Sequence, residues 1–147
     1  MGDMSLTLVR RLKAPPAKVF AAFTRPEMMM RWWGPDAGPV LLAEADLRIG
    51  GAFRVLFRTL GGLDCDCRGV YREIEPDRRL VFTWRWEGRD DPETLVTVAL
   101  RPIAEGTELT FTHARFQDDA LYDSHEKGWT GALSKLSTLM EETDATA

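Results

Sequence analysis

Residues 129–140 read WTGALSKLSTLM. Trp129, Leu133, Leu136 and Met140 recur at intervals of four, three and four, which sets them on one face of an α-helix. The preceding ninety residues have a different period. From Val40 onward apolar and polar residues alternate, which is the mark of half-buried strands. A run of strands closed by one long amphipathic helix decides the fold class. Asp118 or Asp119 can cap the start of that helix. The final TDATA reads as a frayed tail.

The strands can be followed one by one. FRVLFRTL sets Phe53, Val55 and Phe57 against Arg54, Leu56 and Arg58, and Gly61-Gly62 supplies a hairpin turn. DCDCRGVYREI sets Cys65, Cys67 and Tyr71 against Asp64, Asp66 and Arg68. LVFTWRW sets Leu80, Phe82, Trp84 and Trp86 against Val81, Thr83 and Arg85. TLVTVALRP and ELTFTHARF are two further strands joined at IAEGT. Upstream, SLTLVRRLK alternates as a first strand. APPAKVFAAFTRPE then forms a helix with Pro15 and Pro16 in its first turn and Val19, Phe20 and Phe23 as its apolar stripe. Pro26 ends it, and Glu27 to Trp33 suit a second short helix stopped by Gly34-Pro35.

The expected architecture is α+β: one strand, two short helices, about six antiparallel strands and a long C-terminal helix. One domain spans residues 1–147, with its core over about 6–142. Hairpin-linked strands make a curved antiparallel sheet, and the long helix fills its concave face. The space left between sheet, long helix and short helices is where a cavity would form.

A net charge of −4 gives no basic excess to neutralise phosphates, so nucleic acid is not an expected partner. No apolar run approaches the roughly 20 residues that span a bilayer. The N-terminal MGDMSLTLVRRLK lacks a signal-peptide layout, and Gly2 lacks the Ser or Thr that myristoylation requires, since Leu6 stands there. A cytoplasmic protein with no membrane partner is expected. Cys65 and Cys67, two apart on a strand, are poorly placed for a disulfide and read as buried thiols. A zinc site is not expected, because C-x-C with distant histidines is not a structural-zinc spacing. No cofactor motif is present.

RWWGP, LRIGGAF, GVYREIEPDRRLVFTW, GTELTFTH and HEKGWTGALSKL, in that order, resemble the domain shared with the activator of heat-shock protein 90 ATPase. That family is a branch of the START-like, or SRPBCC, superfamily, and the resemblance runs from about Leu6 to Glu142. It implies a helix-grip fold, with seven antiparallel strands around the C-terminal helix. It also implies an elongated cavity for apolar or aromatic ligands and a stress-response setting. Relatives include lipid carriers and polyketide cyclases and dehydratases. The eukaryotic co-chaperone carries a further N-terminal domain that this sequence lacks, which argues against a chaperone partner.

The first functional reading is therefore binding of a small hydrophobic molecule. Its expected wall is Trp32, Trp33, Phe53, Phe57, Tyr71, Phe82, Trp84, Phe111, His113, His125, Trp129 and Leu133. Within the short helix, Met29 and Met30 back Trp33, which assigns Trp33 to the core and Trp32 to the cavity mouth. The less favoured second reading is a cyclase- or dehydratase-type enzyme with His113, His125 or Tyr71 as acid-base groups. Against it, each histidine can simply fix the strand-to-helix corner. The third reading is a protein-interaction module. A homodimer is left open. RRLK, RDD and EKG read as solvated charge.

Overall fold

The computed structural model describes residues 4–142. Gly2 and the TDATA tail lie outside the described residues. The order is β1 (Met4–Leu12), α1 (Pro16–Thr24), α2 (Pro26–Met29), β2 (Val40–Ala45), β3 (Ala52–Arg58), β4 (Asp64–Glu75), β5 (Arg79–Trp86), β6 (Thr94–Ile103), β7 (Gly106–Phe116) and α3 (Asp119–Glu141). The strands form one curved sheet in the order β1-β7-β6-β5-β4-β3-β2, every pair antiparallel. Consecutive strands from β2 to β7 are neighbours because short hairpins link them. The segment with α1 and α2 carries the chain from β1 at one edge to β2 at the other. This is the expected α+β helix-grip arrangement.

Alternation in sequence becomes alternation in burial. Phe53, Val55 and Phe57 of β3 are buried, as are Cys65, Cys67 and Tyr71 of β4. The opposite face carries ion pairs, with Arg54 and Arg68 both clasping Asp66, and Arg58 clasping Asp64. That pairing holds the Asp66 carboxyl down to about 2. The concave face receives α3, which buries His125, Trp129, Ala132, Leu133, Leu136, Leu139 and Met140. Asp118 is the cap, and its carboxylate accepts the Leu121 N–H at 2.8 Å.

Two local departures from regular geometry place side chains that period alone would put elsewhere. First, α2 is a single turn ending at Met29 and does not reach Trp33. The Arg31 N–H bonds back to Met28 O, an i−3 contact that tightens the chain, and Gly34 (φ +96°) then turns it in a conformation that disfavours other residues. Second, β7 carries one extra residue against β1 between His113 and Phe116. Arg115 takes a positive φ of 74° there, and the bulge turns Phe116 inward against both histidines.

The loop after α2 is seated on α3. Lys135 donates to Trp33 O at 3.0 Å and to Asp36 O at 2.6 Å. Pro35 lies against the helix backbone, where a Cβ on Gly131 would collide with the Pro35 carbonyl oxygen. At Gly128, one turn earlier, a Cβ would meet only Pro35 Cβ at 3.7 Å, an ordinary contact. The same substitution should therefore act in opposite directions at these two sites. Gly128→Ala gains helix propensity of about 1 kcal/mol and should raise the melting temperature by about 3 °C. Gly131→Ala should lower it, because the clash outweighs the propensity gain. Thermal unfolding of the two variants beside wild type checks this, and equal shifts would contradict the seating of the loop.

Candidate functional site

At the end of the sheet that carries the β3–β4 and β5–β6 hairpins, a pocket of about 420 Å³ lies between the sheet and the first half of α3. That volume falls in the range of about 300–1,000 Å³ typical of small-molecule sites. Its wall is aromatic: Trp33, Phe57, Trp84, Trp86 and Trp129, joined by His125. Trp33 stacks on Trp84 at 6.0 Å and 13° between ring planes. Trp129 packs at 5.0 Å from Trp84, and Trp86 stands perpendicular to Trp84 at 5.3 Å. Leu63, Arg89, Ser124 and Lys127, all exposed, form the rim.

The two adjacent tryptophans exchange their expected places. Trp32 is fully buried, donates its indole N–H to Ala22 O at 2.8 Å and meets Phe23 edge-on at 4.8 Å. Trp33 lines the pocket. The expectation assumed a regular helix through residue 33. With α2 ending at Met29, the tightened turn rotates Trp32 back onto α1 and Trp33 toward β5. The indole N–H groups of Trp33 and Trp84 are shielded from solvent and have no hydrogen-bond partner among the described residues. Each such unpaired donor costs about 1–3 kcal/mol.

The histidines are joined through rings and hydrogen bonds. Trp129 N–H donates to His113 Nδ1 at 2.9 Å, so that nitrogen is an acceptor. His113 Nε2 lies 2.6 Å from Thr94 Oγ1, and as the protonated nitrogen it donates to that oxygen. The Thr94 hydroxyl in turn donates a hydrogen bond to Trp84 O at 3.3 Å. His125 is the opposite tautomer: Nδ1–H donates to Leu121 O at 2.8 Å, and Nε2 accepts from Trp86 N–H at 3.2 Å. Burial drives the His113 imidazole well below its usual range, aided by the His125 ring nearby. Burial also lowers His125, against the Leu121 carbonyl that pulls the other way.

A family model described as Activator of Hsp90 ATPase homolog 1-like protein matches residues 13–141. The chain belongs to this family. Among solved structures, it is similar to protein CV1439 from Chromobacterium violaceum, with 29% identity, a TM-score of 0.86 and coverage of 95% of this chain and 98% of that one. It is similar to the AHSA1 protein SPO3351 from Silicibacter pomeroyi, with 27% identity, a TM-score of 0.81 and coverage of 93% and 97%. CalU16 from Micromonospora echinospora shares 28% identity at a TM-score of 0.69, over 93% of this chain and 76% of that one. Among curated proteins, none matches the chain. No helix among the described residues is long and apolar enough to cross a membrane.

Within this family member, the residues expected as a cavity wall divide into two groups. Trp33, Phe57, Trp84, His125 and Trp129 line the pocket. Trp32, Phe53, Tyr71, Phe82, Phe111, His113 and Leu133 do not; they are buried core. Phe53 packs edge-on against Phe82 at 5.0 Å and tilts on Tyr71 at 5.7 Å, so large rings fill the middle of the sheet. Strand parity identified the inward face but not how far along it the filling stops. The Tyr71 hydroxyl has no partner among the described residues, and burial pushes its pKa far up.

Cys65 and Cys67 are both buried thiols, and Cys65 reaches the pocket wall. Among the described residues no group of three or more His, Cys, Asp or Glu could hold a metal ion. Sequence reasoning missed Trp86, although it shares a strand face with Trp84. It also missed Arg89 and Lys127, because nothing in RDD or EKG distinguishes a pocket rim from solvated charge.

The tautomers are directly observable. In long-range ¹H–¹⁵N spectra, His113 should carry its proton on Nε2 and His125 on Nδ1, with His113 remaining neutral at pH about 6.5. Depressed folded-state values mean that unfolded imidazoles, near 6.5, take up protons that the folded ones refuse. Stability should be flat between pH about 7 and 8 and fall below 6.5, with a slope of up to about 1.4 kcal/mol per pH unit for each histidine. A His113 imidazolium in the folded protein at pH 6.5 would contradict this hydrogen-bond assignment.

Proposed function

We propose that the chain binds a small, flat, apolar or aromatic molecule in the pocket at the hairpin end of the sheet, as a cytoplasmic ligand-binding protein. The observation that carries this reading is the pocket of about 420 Å³ walled by five aromatic side chains. Ring faces of this kind bury a flat apolar molecule with little directional demand.

The acid-base enzyme is less well supported. Both nitrogens of each histidine already have partners within the fold, and Tyr71 lies outside the pocket wall. For a chaperone-activating module, the family's description is the only support.

N-phenyl-1-naphthylamine, an uncharged probe that brightens in apolar surroundings, should bind at one equivalent and quench tryptophan emission. Gly128→Leu places a side chain at the pocket wall, at a helix position with room for a Cβ. It should keep or raise the melting temperature while weakening the probe at least tenfold. No saturable binding by folded wild type, or unchanged binding by Gly128→Leu, would sink the proposal.

A further inference from the structure

Within the proposed ligand-binding reading, the charge of the pocket narrows the ligand class. The chain carries a net charge of −4, yet no Asp or Glu is among the residues that line the pocket. Two cations are, Arg89 from the β5–β6 loop and Lys127 from α3. On the outer face of the sheet several arginines are held by close carboxylates, as in Arg54–Asp66, Arg58–Asp64 and Arg101–Glu108. The two rim cations are not held in this way. Arg89 approaches Asp91 only to 3.9 Å, beyond hydrogen-bond distance, and its guanidinium sits 5.1 Å over the Trp86 ring. Lys127 makes no ion pair or hydrogen bond among the described residues.

We infer that the ligand is an aromatic or apolar anion, a carboxylate or sulfonate, whose ring enters the tryptophan-lined pocket while its acid group stays at the rim with Arg89 and Lys127. The physical argument sets the orientation. An anion taken among Trp33, Trp84 and Trp129 would lose its hydration with no charge to offset it. No cation lines the inner wall, and burial holds both histidines neutral. At the rim the acid group keeps water and gains two cations, with the guanidinium fork held in place by Trp86. The chain's overall negative charge is a minor opponent, since salt screens it beyond about 8 Å.

A matched pair of probes tests this. 1-Anilinonaphthalene-8-sulfonate carries the fluorophore of N-phenyl-1-naphthylamine plus one sulfonate. In the full chain at low salt, the double substitution Arg89→Gln/Lys127→Gln should weaken the sulfonate probe about tenfold and leave the uncharged probe within twofold. Added salt should weaken only the sulfonate probe. The inference is overturned if the double variant loses less than threefold for the sulfonate probe, or loses equally for both probes. In those outcomes binding of the uncharged probe still supports the pocket. If neither probe binds wild type, the ligand-binding reading falls together with this inference. Both substituted residues are exposed, and circular dichroism of the double variant establishes that it is folded.

Discussion

The hydrogen bond from the Trp129 indole to His113 Nδ1 holds the helix to the sheet, and the site is built around it. Hydrophobic burial alone would let α3 slide along a smooth apolar face, since that force has no direction. The Trp129 N–H must find an acceptor at one place. Its acceptor is itself fixed, because His113 is locked by Thr94, and Thr94 by the Trp84 carbonyl. One chain of donors thus ties α3 to β7, β6 and β5. Each bond contributes about 1 kcal/mol net, but leaving any of these buried groups unpaired would cost about 1–3 kcal/mol. The arrangement therefore penalises a shifted helix more than it rewards the correct one.

The second constraint lies on the other side of the pocket. Lys135 holds the carbonyls of Trp33 and Asp36, and Gly131 lets Pro35 sit on the helix backbone. Gly34 reverses the chain beside the Phe57 ring. Trp33 is consequently positioned by backbone contacts and by ring packing on Trp84, and not by an indole hydrogen bond among the described residues. Two tryptophans side by side thus perform different work. Trp32 joins α1 to the core, and Trp33 forms the pocket wall.

The legible parts of the sequence were those set by period. Alternation placed Phe53, Phe57, Tyr71, Phe82 and Trp84 on the concave face, and the four-three-four spacing placed Trp129 and Leu133 on the buried face of α3. Period says which way a residue points. It is silent on whether the space ahead is filled, which depends on side-chain volumes arriving from several strands at once. Phe53, Phe82 and Tyr71 fill their region together, while Phe57 and Trp86 leave a gap. Short or irregular segments were harder for a related reason. A helix of one turn has no stable pitch, so the Trp32 and Trp33 assignments reversed. The β7 bulge at Arg115 broke parity and sent Phe116 inward. Arg89 and Lys127 lie off the apolar pattern altogether.

A gap beside close-packed aromatic rings invites collapse, and its persistence needs a reason. Trp129 is held by His113, Trp86 by His125, and the backbone of Trp33 by Lys135. These anchors belong to different elements, so closing the pocket would break several hydrogen bonds at once. The wall also keeps two unpaired indole donors, on Trp33 and Trp84, in a chain whose other buried side-chain polar atoms are nearly all satisfied among the described residues. A fold selected only for stability would remove such costs by substitution or by packing. Their concentration in the pocket wall, and not in the filled middle of the sheet apart from Tyr71, fits a site in which some stability is exchanged for a preformed opening.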